Sequence, residues 1–290
     1  MKTVHKIFLA RLAYRLVSIV RGLLRRSPVT VVKRHGISWQ LDLREGIDFA
    51  IYLQGHFEPQ TAKALSKFVE PGQTVVDIGA NIGAHTLPLA KLVGASGRVI
   101  AFEPTQYAYQ KLLTNVRLNP ELSEQVIAEQ IMLGTENIEH YQAEIYSSWT
   151  IAGRAKRHPK HLGELKPTEG CAMRTLDSYL TEKGSSEINL IKLDVDGHEC
   201  RVLLGAIDVL KYHRPIICFE LSPYVLLEHN SSVDELMSIF HRSRYLLLSE
   251  RGKLLPQTGN KLSELVGDGE GINAFAVPVE RKTIERILQS

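Results

Sequence analysis

Strand and helix patterns alternate along most of this chain. They predict an α/β protein built on a doubly wound, mostly parallel sheet of seven strands, preceded by an N-terminal helix and a small hairpin. Two observations carry that expectation. Apolar runs of strand length fall at 74–78, 98–103, about 126–133, 189–194, 215–221, about 244–249 and 273–278. Amphipathic segments of helical period fall at about 84–93, 106–118, 175–182, 198–211 and 233–241. No helix pattern separates the last two strands, so that pair is expected to run antiparallel. At 290 residues and 44% apolar, the chain is long enough for one large domain or a domain with an appendage. The boundaries are drawn at 1–26, 27–58 and 59–290.

Residues 1–26 hold Lys2, Lys6, Arg11, Arg15, Arg21, Arg25 and Arg26, and no acid. At 100° per residue, Leu9, Leu12, Leu16, Ile19, Val20 and Leu23 share one face, and Arg11, Arg15, Ser18, Arg21 and Arg25 share another. A basic amphipathic helix suits peripheral contact with an anionic membrane. The competing reading docks the apolar face on the chain's own domain. Arg11 and Arg15 interrupt the apolar region and no A-x-A site follows, which argues against a secretory signal. A mitochondrial presequence of this composition stays open. Residues 29–43 read as two short strands joined near His35-Gly36, and 59–69 as a helix. The segment 153–167, broken by Pro159, Gly163 and Pro167, reads as a surface loop.

Thr74-Val-Val-Asp-Ile-Gly-Ala-Asn-Ile-Gly-Ala-His-Thr86 is the densest signal. A short strand ends in Asp77 and turns through Gly79, Asn81 and Gly83 into a helix. Gly79 permits the tight turn, and Gly83 lets the helix begin near a ligand. Glu103 follows twenty residues later, at the end of the next strand, where a carboxylate accepts from a ribose diol. Together they indicate an adenosyl ligand in a Rossmann-like site. Asp77 would repel a pyrophosphate. S-adenosylmethionine, with an ammonium and a sulfonium, fits better than a dinucleotide. The bland reading is a tight turn with no ligand.

Ligands of open α/β sheets bind beyond the carboxyl ends of the strands. Candidates there include Gly134 and Thr135 after the third strand and Glu220 to Tyr224 after the fifth. The fourth strand end is richest: Asp194, Asp196, His198 and Glu199 fall within six residues, and Gly197 permits the turn. A carboxylate (Asp194, Asp196 or Glu220) or His198 would take a proton from an acceptor hydroxyl. Alternatively, Asp194 and Asp196 would hold Mg²⁺. In a third reading Asp194 orients the methionine moiety and Glu199 caps a helix, and plain capping by Asp196 and Glu199 is the bland one. Lys192, mid-strand, snorkels or pairs with an acid.

A formal charge of +3 is too small to argue for nucleic acid. Cys171, Cys200 and Cys218 have no metal-like spacing and read as reduced structural residues, consistent with a cytoplasmic protein. No run of eighteen apolar residues indicates a membrane span. Ser147, Ser148 and Ser222 lack a nucleophile-elbow context, and the eleven histidines lack zinc-site spacing. Methyl transfer needs no covalent nucleophile, only alignment and removal of one proton.

From about Glu58 to Val277 the chain resembles the FkbM family of S-adenosylmethionine-dependent methyltransferases. The resemblance rests on His56-Phe-Glu-Pro59, Val76-Asp-Ile-Gly-Ala-Asn-Ile-Gly83, Val99-Ile-Ala-Phe-Glu-Pro104, Asn115 and Asn119, Arg174-Thr-Leu-Asp177 and Ile191-Lys-Leu-Asp-Val-Asp-Gly-His-Glu199. It implies a class I methyltransferase fold. It also implies cofactor binding by Asp77, Gly79, Asn81, Gly83 and Glu103, with Asp194 beside the methyl group. Family acceptors are sugar hydroxyls of glycans, glycolipids and glycosylated metabolites. The family commonly has Glu-Gly-Phe-Glu where this chain has Asp196-Gly-His-Glu199. The expected function is O-methylation of such an acceptor. A non-catalytic adenosyl-binding or interaction subunit is the alternative. A nucleic-acid methyltransferase would carry an N-P-P-Y-type loop where Asp-Val-Asp-Gly stands.

Overall fold

The computed structural model describes residues 3–151, 158, 163–184, 187–267 and 269–281. Helix α1 (Thr3–Leu23) leads to a hairpin of β1 (Val29–Arg34) and β2 (Ile37–Asp42), followed by α2 (Gly46–Gln54) and α3 (Pro59–Leu65). The hairpin turns at His35 and Gly36, both at positive φ (47° and 82°), the pairing a two-residue turn between twisted strands demands.

The main sheet is laid down by β3 (Thr74–Ile78), α4 (Thr86–Val93), β4 (Arg98–Phe102), α5 (Gln106–Arg117), the short α6 (Pro120–Ser123) and β5 (Val126–Glu129). A side region follows: β6 (Ile131–Leu133), β7 (Ile138–Tyr141), β8 (Glu144–Trp149), β9 (Gly163–Pro167) and β10 (Cys171–Arg174). The chain returns through α7 (Leu176–Lys183), β11 (Leu190–Leu193), α8 (Glu199–Leu204), β12 (Ile216–Leu221), α9 (Pro223–Glu228), α10 (Val233–Arg242), β13 (Tyr245–Ser249), α11 (Gly259–Glu264) and β14 (Ile272–Pro278).

Seven strands form one sheet in the order β13-β14-β12-β11-β3-β4-β5. β12, β11, β3, β4 and β5 are parallel, while β14 runs antiparallel to both β12 and β13. The expected doubly wound sheet and its antiparallel closing pair are both present. Val76, Ile191 and Ile217 pack on one face, and Val75, Leu190 and Cys218 on the other. Burial on both faces is why these strands read as continuous apolar runs rather than alternating ones. The strand order reverses between β3 and β11, which makes their carboxyl ends the switch point where such folds bind ligands.

Three sequence expectations need correction. The strand drawn at 126–133 is two strands. β5 stays in the main sheet only while β4 lasts, and Glu103 N closing on Glu129 O is its final rung. Beyond Gln130 the chain pairs instead with β10, in a three-stranded sheet with β7. The helix drawn at 198–211 stops at Leu204. A Cβ on Gly205 would lie 2.0 Å from Gly134 O, so the backbones touch there, and a π-helical turn (Val209–His213) follows. The loop drawn at 153–167 contains β9, which pairs antiparallel with β8; the rest of that loop, residue 158 apart, lies outside the described residues.

Two polar motifs are scaffolding. Asn115 and Asn119 project from α5 onto the free edge of β2. Gln40 N donates to Asn115 Oδ1 (2.8 Å) and Ser38 N to Asn119 Oδ1 (2.7 Å). Asn119 Nδ2 returns a bond to Ser38 O (2.8 Å), and Asn115 Nδ2 donates to Ile82 O (3.0 Å) in the glycine turn. The amides therefore satisfy an exposed strand edge and fix the turn to the hairpin. In Arg174-Thr-Leu-Asp177, Thr175 caps α7 by accepting from Ser178 N (3.0 Å), and Asp177 accepts from Asp208 N and Val209 N (both 3.0 Å). Asn115→Ala should cost roughly 2 kcal/mol or more, because it strands Gln40 N and Ile82 O. Urea denaturation checks this; a cost below about 0.5 kcal/mol, the scale of neutral surface changes, contradicts the bracing role.

Candidate active site

Two cavities meet at the switch point and share Gly79, Asn81, Ser147, Asp194 and Asp196. The first, about 210 Å³, is lined by Glu58, Asp194, Asp196 and Glu220, together with Lys192 and His85. The second, about 120 Å³, has an apolar wall that includes Ile78, Phe102, Met132 and Leu133, with Glu103 and Glu144 beside it and the shared Asp194 and Asp196 at its junction with the first.

Gly79 sets the junction. Its φ is +79°, and a Cβ there would sit 1.8 Å from Asp194 O. The β3 turn and the end of β11 thus approach more closely than any side chain allows. Gly79 N and Ala80 N both donate to Phe102 O at 3.0 Å, which ties the turn to β4. Asn81 (φ 48°) donates its N–H to Glu103 Oε2 (2.9 Å), and its Oδ1 accepts from Ile82 N (3.0 Å). Three of the eight non-glycine residues at positive φ among the described residues, Glu58, Asn81 and Asp196, line the first cavity. Such backbone strain concentrates where geometry serves a site.

The predicted residues do not all reach the cavities. Asp77 is fully buried and lines neither. Its Oδ2 accepts from Thr86 Oγ1 (2.6 Å), tying the start of α4 to β3. Its Oδ1 is also buried and has no hydrogen-bond partner among the described residues. Gly83 also lines neither cavity; a Cβ there would lie 2.9 Å from Leu112 Cδ1, so this glycine serves the packing of α5. Gly134 and Thr135 line a separate cavity beyond His198 and His229.

Asp194, Asp196 and Glu220 are brought together as expected. Lys192 is buried, and its Nζ donates to Asp194 Oδ2 at 2.8 Å. Burial alone would lower the Lys192 pKa, but Asp194, Asp77 and Glu58 outweigh it and hold the ammonium charged. Lys192 therefore pairs rather than snorkels. Burial, then Asp194 and Glu199, push the Asp196 carboxyl well above the usual carboxylate range. Burial, then Asp194 and Asp196, do the same to Glu220. Glu199 Oε1 accepts from Val195 N (3.2 Å), and burial raises this carboxyl to about 7. Mg²⁺ at Asp194 and Asp196 gains no support: among the described residues no three His, Cys, Asp or Glu side chains converge as metal ligands, and the cation on Asp194 is Lys192.

His198 lines the second cavity, 4.1 Å between ring centroids from His229, and its Nδ1 has no hydrogen-bond partner. Burial, then His229 and Arg201, lower its pKa to about 4, so the ring is neutral at pH 7. It shares the second cavity with Asp194 and Asp196 but does not line the first.

Sequence reasoning missed Glu58, His85 and Ser147 as cavity residues. Glu58 lies in the quoted His56-Phe-Glu-Pro59 motif, and it faces the cavity because it caps α3 at φ 45°. Asn273 Nδ2 donates to its Oε2 (3.0 Å), and His85 Nε2 lies 3.6 Å from that oxygen. Despite burial, His85, Lys192 and Asn273 hold Glu58 below the usual carboxylate range. Nothing in the sequence pattern marks His85 or Ser147; Ser147 arrives on β8, far from the glycine turn in sequence.

The donor set fits S-adenosylmethionine. Glu103 Oε1 accepts from Thr105 N and Thr105 Oγ1, but among the described residues Oε2 accepts only from Asn81 N, which leaves capacity there for a ribose hydroxyl. The apolar wall beside it suits a purine, and the carboxylate-rich cavity suits cationic groups.

No curated protein matches the chain. Among solved structures, the FkbM methyltransferase of Methylobacillus flagellatus is 18% identical with a TM-score of 0.45, over 78% of this chain and 49% of that one. This chain therefore spans about half the length of that protein. An S-adenosylmethionine-dependent O-methyltransferase from Thermotoga maritima is 12% identical with a TM-score of 0.43, over 90% and 82%. M. jannaschii TYW2, in complex with AdoMet, is 17% identical with a TM-score of 0.43, over 87% and 86%. The methyltransferase FkbM domain profile matches residues 77–247, more than half of the sequence, and the chain belongs to that family of methyltransferases.

Proposed function

We propose that this methyltransferase transfers a methyl group from S-adenosylmethionine to a hydroxyl of a neutral saccharide, glycolipid or glycosylated metabolite. One observation carries the reading: four carboxylates, Glu58, Asp194, Asp196 and Glu220, line a single cavity beside the glycine turn. Carboxylates accept hydrogen bonds from sugar hydroxyls, and as a group they repel phosphorylated and polyanionic acceptors, nucleic acids included.

When bound, S-adenosylmethionine supplies a methyl group on an electrophilic sulfonium. Glu103 and the apolar second cavity would hold the adenosine, and the junction residues Gly79, Asn81 and Asp194 the methionine side. The rest belongs to the chain's own groups. The Lys192 ammonium fixes Asp194 in one orientation. Beside a cationic cofactor the ionised forms of Asp196 and Glu220 are favoured, and either of them, its raised pKa making it a stronger base than an ordinary carboxylate, then takes the hydroxyl proton. Ser147 and Gly163, from β8 and β9, line the first cavity and help exclude water.

The direct test offers the protein labelled S-adenosylmethionine with neutral saccharides, sugar phosphates and RNA. Label on neutral saccharide hydroxyls is expected; label on RNA overturns the reading. Glu220→Gln and Asp196→Asn should each lower kcat about 10²-fold or more while leaving the thermal transition in place. Full activity in both moves the base elsewhere. Glu103→Ala should weaken cofactor binding by roughly 1–3 kcal/mol; equal affinities by calorimetry contradict the ribose assignment.

Cofactor affinity should also depend on pH. A carboxyl with a raised pKa gives up its proton at higher pH than an ordinary one, and a cationic ligand favours the ionised form. Binding then releases protons, and affinity rises with pH, by up to about tenfold per pH unit for each proton released. S-adenosylhomocysteine has no sulfonium charge and should show the shallower slope. Titration calorimetry in buffers of different ionisation enthalpy measures the release, and identical slopes for the two ligands contradict the charge argument.

A further inference from the structure

Helix α1 docks on the domain, but not through its leucine face. Ala13, Tyr14 and Val17 pack against the core beneath the hairpin, and the Tyr14 ring meets Phe49 of α2 edge-on at 5.7 Å and 83°. The adjoining face is left uncovered: Leu12, Leu16, Ile19, Val20 and Leu23 are 48–81% exposed. At 3.6 residues per turn these five side chains fall within an arc of about 100°. They form a continuous apolar stripe that the fold does not bury. Leu9, predicted for the same stripe, and Lys2 and Lys6 lie outside the described side chains.

The charge around the stripe is one-sided. The first 41 residues hold nine Lys and Arg and no Asp or Glu; the rest of the chain carries 26 against 32. A net charge of +3 thus conceals a strongly basic end on an acidic body. Arg15, Arg25 and Arg26 are exposed, Arg11 is half-buried, and none of the four is in an ion pair among the described residues. Among the described residues no helix is long and apolar enough to cross a membrane.

We infer that α1 lies in the surface of an anionic lipid bilayer, with Leu12, Leu16, Ile19, Val20 and Leu23 inserted between headgroups and the arginines on lipid phosphates. Charge selects this occupant over a second copy of the chain. Two copies meeting stripe to stripe would also bring two uncompensated arginine rows together, whereas an anionic leaflet neutralises them. The docking face gives the contact a consequence. Tyr14 holds α1 to α2, and α2 carries Ile47 into the wall of the first cavity, two residues from Phe49. The bound helix therefore holds the catalytic domain in a fixed orientation, one helix away from the bilayer.

The full-length protein is sedimented with vesicles of phosphatidylcholine alone and of phosphatidylcholine with phosphatidylglycerol. Binding to the anionic vesicles is expected, with loss at high salt. The triple variant Leu16→Ser, Ile19→Ser, Leu23→Ser should bind at least tenfold more weakly with an unchanged melting temperature, since all three side chains face solvent. Arg25→Glu with Arg26→Glu should weaken anionic binding without touching the stripe. Equal sedimentation with both vesicle types, or wild-type binding by the triple variant, overturns the proposal. So does light scattering that shows a wild-type dimer which the triple variant turns into a monomer.

Discussion

One buried ammonium governs this site. Lys192 stands mid-strand in β11, on the floor of a cavity of about 210 Å³ that four carboxylates also line. A single cation cannot neutralise four acids packed behind low-dielectric walls. The crowding and the burial disfavour the ionised forms, which is what the raised pKa values of Asp196 and Glu220 express. The remaining negative potential attracts cationic and hydroxyl-bearing ligands. Under the proposed function, cofactor preference, acceptor preference and the strength of the base would share one electrostatic cause.

The placement of that charge follows from one backbone contact. Gly79 and Asp194 O meet where no Cβ fits, so β3 and β11 end side by side with their polar residues converging. Asp194 is then held from two directions, by its carbonyl against Gly79 and its carboxylate on Lys192. Asp196, two residues on, adopts φ 46° to turn back toward the same cavity. Strain there is tolerable because Asp accepts the left-handed region better than most residues and because Gly197, at φ 95°, completes the turn. β8 and β9 supply Ser147 and Gly163 to the wall of the first cavity.

The sheet was legible because its central strands are buried on both faces and separated by amphipathic helices, so two periodicities mark it. The strand-end acids were legible for a related reason: Asp194, Asp196 and Glu220 interrupt or follow apolar runs that packing alone would have kept apolar. Asp77 and Gly83 carry the same local signal, yet they face Thr86 and Leu112. Sequence spacing gives a residue's position on the turn, not the direction of its side chain. The break at Gln130 and the end of α8 at Gly205 were not legible, because both depend on partners distant in sequence, β10 and Gly134. Glu58 and Ser147 reach the site by tertiary packing of segments that precede and follow the glycine turn.

The acidic cavity and the basic helix meet in α2. Its Phe49 receives Tyr14, and its Ile47 forms part of the cavity wall. A small neutral saccharide would gain nothing from a membrane-facing helix. A saccharide carried on a lipid would, because the bilayer raises its local concentration and limits the directions from which it approaches. On the proposed bilayer contact, the acidic body of the chain would add to this: its net negative charge would turn it away from an anionic leaflet while the basic end is drawn in, which would favour one orientation over the alternatives. Acceptor class and helix exposure are therefore coupled properties. A lipid-linked acceptor should depend on the exposed stripe for efficient methylation at low acceptor density, whereas a soluble acceptor should be methylated equally well with or without it.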